Sequence, residues 1–347
     1  MIPHSRPHIT QDDAQAVLKT VESALIASGD KVARLESGLA AYLGRRASVA
    51  VSNGTSALYC ALSTLGVVEG DDVIIPAYVC SSLLYAVRMT GAKAVVADSG
   101  HDLFHMDADT IKPLCTQNTK AIIFPHMFGS ANDLTDIVAF GIPVIEDCAL
   151  SLGSSLNGIK TGALGSFAAV CSFYATKVIA SGEGGAVISD DDNFLERVRD
   201  IAHYADKIDE KLRFNFALSD ISAALALSQL SRIDSMIDRR RTLAHQYSDA
   251  LKDSELVLPH ERDGEQHIFY RYVIGTENVQ TLRDKLLACG VGAERPVFTP
   301  LSRYPDVTAD CPRAEEAWGM SLSIPLYPAL TTDEAATITE SLVKSVK

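Results

Sequence analysis

Short apolar runs recur along the first half of this chain, each followed by a polar break or a stretch with helical spacing. Val49-Ala50-Val51 leads into a helix from Ser56 to Leu65, Val73-Ile74-Ile75 stops at Pro76, and Ala94-Val95-Val96-Ala97 stops at Asp98. Ala121-Ile122-Ile123-Phe124, Val144-Ile145, Ala168-Ala169-Val170 and Ala186-Val187-Ile188 continue the series. Apolar runs without polar alternation belong to strands buried on both faces. The pattern therefore predicts an α/β protein with a mostly parallel sheet between two helical layers. The last two runs are joined around Gly182 to Gly185 by a link too short for a crossover helix, so that pair is expected to be antiparallel.

Before the first strand, Met1 to Thr10 is an arm with two prolines and little periodicity. Ala14, Val17, Leu18, Val21 and Leu25 predict a helix from Gln11 to about Ala27, and Val32 to Leu43 a second one ending at Gly44. Ser219 to Leu251 reads as one or two long helices, on which Arg239-Arg240-Arg241 is expected to form a solvated face rather than an anion patch. Beyond Pro259 the texture changes. Ile268 to Ile274 reads as a strand, Val279 to Ala288 as a helix and Thr332 to Val343 as a closing helix.

Bulk properties narrow the class. At 347 residues the chain can form one large domain, or a large and a small one, with an ample core. Its formal net charge of −13 disfavours broad binding to nucleic acid or an anionic membrane, although a few local cations would still serve a small anionic substrate. The seven cysteines are scattered, with no CxxC pair and no metal-ligand spacing. We expect reduced thiols, no metal and a cytoplasmic location. No signal-peptide pattern is read, and no apolar run is long enough to span a bilayer.

Three stretches carry candidate chemistry. Cys171 to Asp190 places Lys177 between apolar residues, just before the turn Gly182-Glu183-Gly184-Gly185. A lysine drawn partly out of water has a lowered pKa and becomes a nucleophile toward a carbonyl; an ordinary surface lysine before a hairpin fits the same stretch. Ile145 to Ser155 puts Glu146-Asp147 at the C-terminal end of a buried strand, where open α/β sheets bind ligands. Ser52-Asn53-Gly54-Thr55-Ser56 runs from a strand into a helix and gathers N–H groups and hydroxyls that suit a phosphate. A phosphate cradle, a carboxylate for a ring nitrogen and a lysine for a Schiff base are what pyridoxal 5'-phosphate requires.

With these motifs in view, the chain resembles the DegT/DnrJ/StrS family of pyridoxal-phosphate sugar aminotransferases, of the aspartate aminotransferase fold type I. The likeness runs through IPHSRPHIT, VSNGTSAL, DDVIIPAYV, PHMFGSANDL, IEDCALSLG, SFYATK, GEGGAVISDD, FNFALSDISAALALSQL and SLSIPLYPALTTDE, in family order. It implies a large cofactor-binding domain over residues 1–245, with the arm 1–10, and a smaller α+β domain over 246–347. It implies that Lys177 forms the Schiff base and shuttles a proton, and that Asp147 pairs with the ring nitrogen. Gly54, Thr55, Ser56 and Ser172 would hold the phosphate. Asn215 would reach the cofactor of a neighbouring subunit, making a homodimer. His126 matches a family histidine near the pocket but equally suits a satisfied core position, and Gly184 and Gly185 read as backbone-geometry residues.

The chain also departs from the family pattern. Leu150 stands where a glutamine is usual, Cys80 where a ring-stacking aromatic is common, and Ala217 where an arginine or lysine is frequent. The usual histidine of the substrate-facing loop is missing from RPVFTPLSRYPD, leaving Arg295, Thr299 and Arg303 as candidates for contacts there. The implied reaction moves an amino group from glutamate, or a similar donor, to a keto sugar linked to a nucleotide. A ketone such as a cyclitol, or a non-catalytic cofactor-binding sensor, are the alternatives. Lys177 argues against the family's dehydratases, which carry histidine there, and the absence of GxxxxGK[ST] and GxGxxG argues against a nucleotidase or dehydrogenase.

Overall fold

The computed structural model describes residues 1–205 and 207–346. Seven strands form its main sheet: β1 (Ala47–Val51), β2 (Asp72–Pro76), β3 (Lys93–Ala97), β4 (Thr119–Pro125), β5 (Val144–Asp147), β6 (Ala168–Ser172) and β7 (Gly185–Ser189). Their order is β1-β7-β6-β5-β4-β2-β3. Neighbours from β6 to β3 pair in parallel, and β7 runs antiparallel to both β6 and β1, as its short connection requires. Side chains alternate between faces. Val49, Val51, Val170 and Val187 enter one apolar cluster, and Ala50, Ala169, Cys171, Ala186 and Ile188 enter the cluster on the opposite side.

Helices α1 (Gln11–Glu22), α2 (Asp30–Leu43), α3 (Gly54–Thr64), α4 (Ser82–Met89), α5 (Asp192–Ala202), α6 (Asp220–Leu230) and α7 (Ile233–Leu251) surround this sheet. The α1 helix stops short of the expected Ala27, because Ala24 takes a left-handed conformation at φ 58°. It also buries the wrong residues for its apolar pattern. Asp13 and Thr20 face inward, while Leu18, Val21 and Leu25 are exposed, since the Asp13 carboxylate accepts from Ser228 and Arg232 beneath it. The start of α2 is held by another helix. Buried Asp220 accepts from the N–H groups of Gly29 (2.8 Å), Lys31 (3.1 Å) and Val32 (3.0 Å), three donors that no helix can satisfy internally.

The expected division at residue 245 falls inside α7, an unbroken helix. Its early residues Ile233, Met236 and Ile237 pack under the main sheet, whereas Leu243, Ala244, Tyr247 and Leu251 join a separate cluster with the C-terminal elements. Those elements are β8 (Tyr272–Gly275), β9 (Ser321–Ile324), α8 (Val279–Ala288) and α10 (Thr332–Ser345), with β8 antiparallel to β9, whereas α9 (Pro312–Met320) packs Ala314 and Ala317 into the main-sheet cluster that holds Val49 and Val51. The strand expected from Ile268 begins only at Tyr272. The residues before it turn aside, with Phe269 at φ 48°, and the N–H groups of Ile268 and Arg271 bond to the carbonyls of Gly129 and Phe128. The triple arginine is not a solvated face. Arg240 is buried against the Tyr270 and Leu326 carbonyls, Arg241 pairs with Glu261, and Arg239 donates to the Leu330 carbonyl.

A buried polar node lies under the sheet ends. Glu146 accepts from Gly162 N–H (2.6 Å), Leu164 N–H (3.1 Å) and Ser166 Oγ (2.6 Å), and its Oε2 lies 2.9 Å from His126 Nε2. The second ring nitrogen of His126 accepts from the Asn132 N–H, so this histidine is a fully engaged core residue. Burial alone would raise the Glu146 carboxyl, but His126 and these donors hold it below the usual glutamate range.

Two stability predictions follow from these anchors. Asp220→Ala leaves three N–H groups without their acceptor and should cost about 1–3 kcal/mol, read as a lower urea midpoint at unchanged slope. Glu146 is more acidic folded than unfolded, so its contribution is present above the ordinary glutamate pKa of about 4.3 and disappears as pH falls through that value and below. Glu146→Gln should therefore flatten the loss of stability below about pH 5 in urea titrations across pH.

Candidate active site

A cleft of about 450 Å³ opens above the C-terminal ends of β5 and β6, the edge at which open α/β sheets place ligands. Asp147 reaches it as the last residue of β5. Adjacent strand residues point to opposite faces, so Glu146 enters the core node while Asp147 meets the cleft. Asp147 is 8% exposed, and its Oδ1 accepts the Ala149 N–H at 2.9 Å. Its second oxygen has no donor among the described residues. Burial pushes the Asp147 carboxyl up; the Ala149 N–H, Lys177 and His126 counter part of that rise.

Lys177 closes a turn after β6, its N–H bonded to the Tyr174 carbonyl at 2.8 Å, and it lines the same cleft as Asp147. The nearer wall of this corner is Tyr270, whose ring centre is 5.8 Å from Lys177 Nζ. Burial by itself would raise the Tyr270 phenol. The charges of Arg271, Lys177 and Arg240 and the Thr176 hydroxyl (3.4 Å) bring it down to about 8.

The start of α3 forms the opposite end. The cap is Asn53, whose Oδ1 accepts the Ser56 N–H at 2.8 Å, so the helix begins at Gly54 and not at Ser56. Asn53, Gly54, Thr55 and Ser172 line the cleft, and the N–H groups of Gly54 and Thr55 have no acceptor among the described residues. Ser56 stands behind them, buried, its hydroxyl 3.3 Å from Ser52 Oγ. Gly185 permits this arrangement: a Cβ there would lie 2.6 Å from the carbonyl carbon of Asn53.

Two of the departures from the family pattern, Cys80 and Leu150, line the cleft, with Cys80 Sγ 2.8 Å from Ser82 Oγ. Asn215 does not line it; it is exposed in the segment before α6. Arg295, Thr299 and Arg303 are also outside. The two arginines sandwich Trp318 at 4.2 and 3.8 Å from its ring, and Arg303 pairs with Glu315. Their loop instead contributes Pro296, Val297 and Phe298. Sequence reasoning named Asn53 only as part of the phosphate-suited stretch and did not single out Phe128, Tyr174, Glu183, Tyr270 and Arg271, which also line the cleft. Asn53 was legible as a preferred cap residue. Tyr270 and Arg271 carried no local signal, because their run looked like a strand.

The residues fit pyridoxal phosphate. Free N–H groups at a helix N-terminus, with two hydroxyls, suit a phosphate. An under-satisfied buried carboxylate suits a protonated ring nitrogen, and a lysine amine in the same cleft suits an aldehyde carbon.

Comparison with known proteins agrees. The family model of the DegT/DnrJ/EryC1/StrS aminotransferase family matches residues 7–343. The chain is 30% identical to the spore coat polysaccharide biosynthesis protein SpsC of Bacillus subtilis, covering 100% of this chain and 97% of the relative. It is also 30% identical to the GDP-perosamine synthase of Escherichia coli O157:H7, covering 98% and 97%. Among solved structures, the aminotransferase TlmJ from Streptoalloteichus hindustanus superposes with a TM-score of 0.94 at 26% identity, over 99% of this chain and 98% of that one. The chain therefore belongs to the DegT/DnrJ/EryC1/StrS aminotransferase family, and it is a pyridoxal-phosphate-dependent aminotransferase of fold type I.

Proposed function

We propose that this enzyme transfers an amino group from glutamate, or a similar amino-acid donor, to a keto sugar carried on a nucleotide. The observation that carries this reading is the meeting of Lys177, Asp147 and the α3 N-terminus in one cleft. The likeness to a GDP-perosamine synthase supports a nucleotide-linked sugar as acceptor.

Bound pyridoxal phosphate supplies an electrophilic aldehyde carbon and a ring that draws electrons from the carbon bearing the transferred nitrogen. Gly54 and Thr55 N–H groups, with the Thr55 and Ser172 hydroxyls, anchor the phosphate end. Asp147, whose second oxygen is left without a donor among the described residues, would hold the ring nitrogen protonated, and a positive ring would in turn relieve the buried carboxylate. Lys177 Nζ would be the nucleophile toward the cofactor's aldehyde and, as a free amine in the same cleft, would hold and move the proton during the transfer. Leu150 and Cys80, which both line the cleft, would contribute packing against the ring. Donor and acceptor use the cleft in turn, which gives ping-pong kinetics.

The working unit in this reading is a homodimer. Asn215 is exposed outside its own cleft, and Leu18, Val21 and Leu25 form an uncovered apolar stretch on and just beyond α1. Both suit a second copy whose cleft Asn215 completes.

Lys177→Ala should remove the visible absorption band that the purified enzyme acquires with pyridoxal phosphate, and should lower turnover by at least ~10²–10⁴-fold. The assay is nitrogen transfer from labelled glutamate to a panel of nucleotide-linked keto sugars and cyclitol ketones. A variant that kept both band and turnover would refute the assignment. A wild-type enzyme that bound the cofactor but aminated no ketone would point to a sensor.

A further inference from the structure

Behind the Lys177 turn the fold gathers cations around one phenol. Lys177 Nζ lies 5.8 Å from the centre of the Tyr270 ring, the Arg240 guanidinium 5.8 Å and the Arg271 guanidinium 5.1 Å. Arg240 is buried and committed to two main-chain carbonyls, Tyr270 at 3.2 Å and Leu326 at 3.0 Å, so it serves to hold the segment before β8 in place. Arg271 differs. It is half-buried and lines the cleft beside Lys177 and Tyr270. Its side chain makes two 3.5 Å approaches to the His4 ring and has no carboxylate partner among the described residues. His4 is no counter-ion for it: an imidazole carries no negative charge, and burial and Arg271 bring that ring down to about 3, so it stays neutral. Nearby arginines are matched: Arg6 with Glu334 at 2.6 Å, Arg232 with Asp13, and Arg241 with Glu261 at 2.5 Å. A guanidinium fork left without an acid on a cleft wall is built for an incoming oxyanion.

We propose that Arg271 receives the α-carboxylate of the amino-acid donor and thereby sets which amines are accepted, an inference that rests on the amino-transfer reading above. Two oxyanions enter such a cleft, the carboxylate of the donor and the diphosphate of the acceptor. Position favours the first. Arg271 and Lys177 line the same cleft, 5.1 and 5.8 Å from one ring centre, and an α-carboxylate stands one carbon from the nitrogen that is transferred. A diphosphate is set off from a reacting sugar carbon by the breadth of the sugar ring. The planar fork of arginine also matches a carboxylate through two parallel hydrogen bonds. The Tyr270 phenol that both cations approach is itself acidified by them. Arg271 makes and breaks no covalent bond; it binds and orients.

The test uses the full chain loaded with pyridoxal phosphate, as wild type, Arg271→Met and Arg271→Lys. Arg271→Met should keep the visible band and the KM for the keto sugar, while the KM for L-glutamate rises about 10–100-fold. Arg271→Lys should recover part of that loss. Equilibrium binding of glutarate, an unreactive dicarboxylate followed by its perturbation of the band, should weaken by a similar factor. Turnover of γ-aminobutyrate, which lacks an α-carboxylate, should not respond to the substitution. An unchanged glutamate KM with intact band, or a rise confined to the sugar KM, overturns the proposal, the second result assigning Arg271 to the diphosphate. A wild-type protein that forms no band fails at the amino-transfer reading, and this inference falls with it.

Discussion

A carboxylate buried at the end of a central strand with one protein hydrogen bond is the constraint around which the cleft is organised. Asp147 and Glu146 are chemically similar neighbours with opposite fates. Glu146 points into the core, where three donors and His126 satisfy it and hold it ionised. Asp147 points into the cleft, holds the Ala149 N–H alone and is driven up by burial. A buried anion left this way is costly unless a cation comes beside it. The first carboxylate is finished by the fold, and the second is left for a ligand to finish.

The antiparallel β7 is what brings the other fixtures to that point. A parallel crossover would carry the chain away over one face. The tight return after Lys177 instead drops β7 between β6 and β1 and presses Gly185 against Asn53. The lysine turn and the phosphate-binding helix start are thereby locked to one another through three adjacent strands. The same close approach explains the glycine: any Cβ at residue 185 would collide with main-chain atoms, which cannot give way as a side-chain end can.

The sheet was legible because its strands are buried on both faces and read as plain apolar runs; as cleft-lining residues, Asp147, Gly54, Thr55 and Ser172 were legible because each sits at a strand end or helix start, and Lys177 because apolar residues bracket it before a Gly-rich turn. Other features were hidden for identifiable reasons. The run Ile268 to Ile274 has strand composition throughout, yet the carbonyls of Phe128 and Gly129, distant in sequence, capture its first half and aim Tyr270 and Arg271 at the cleft. Arg239-Arg240-Arg241 reads as a polar face, but four main-chain carbonyls, of Leu330, Tyr270, Leu326 and His267, and Glu261 absorb it. Arg295 and Arg303 look available in the sequence and are taken by Trp318 and Glu315. In α1 the apolar periodicity indicated an inward face, and the burial of Asp13 reversed it. In every case a long-range polar contact outweighed a correct local pattern.

The charge of the whole molecule and the charge of its cleft are of different kinds. A chain with formal net charge −13 repels anions at long range. The cleft nevertheless has Lys177 and Arg271 on one wall, with Arg240 buried behind them, while its acids are Asp147, proposed to face the ring nitrogen, and Glu183. In that proposed reading Asp147 is matched by a positive ring, which leaves Lys177 and Arg271 as the cations on the Tyr270 side. Screening limits the outer field to about 8–10 Å at physiological salt, so an anionic substrate that reaches the mouth feels mainly these inner cations. Selectivity for anions then resides in a few partly desolvated groups, where a charge-assisted hydrogen bond is worth more than on the surface, and an acidic exterior is no obstacle to handling acidic substrates.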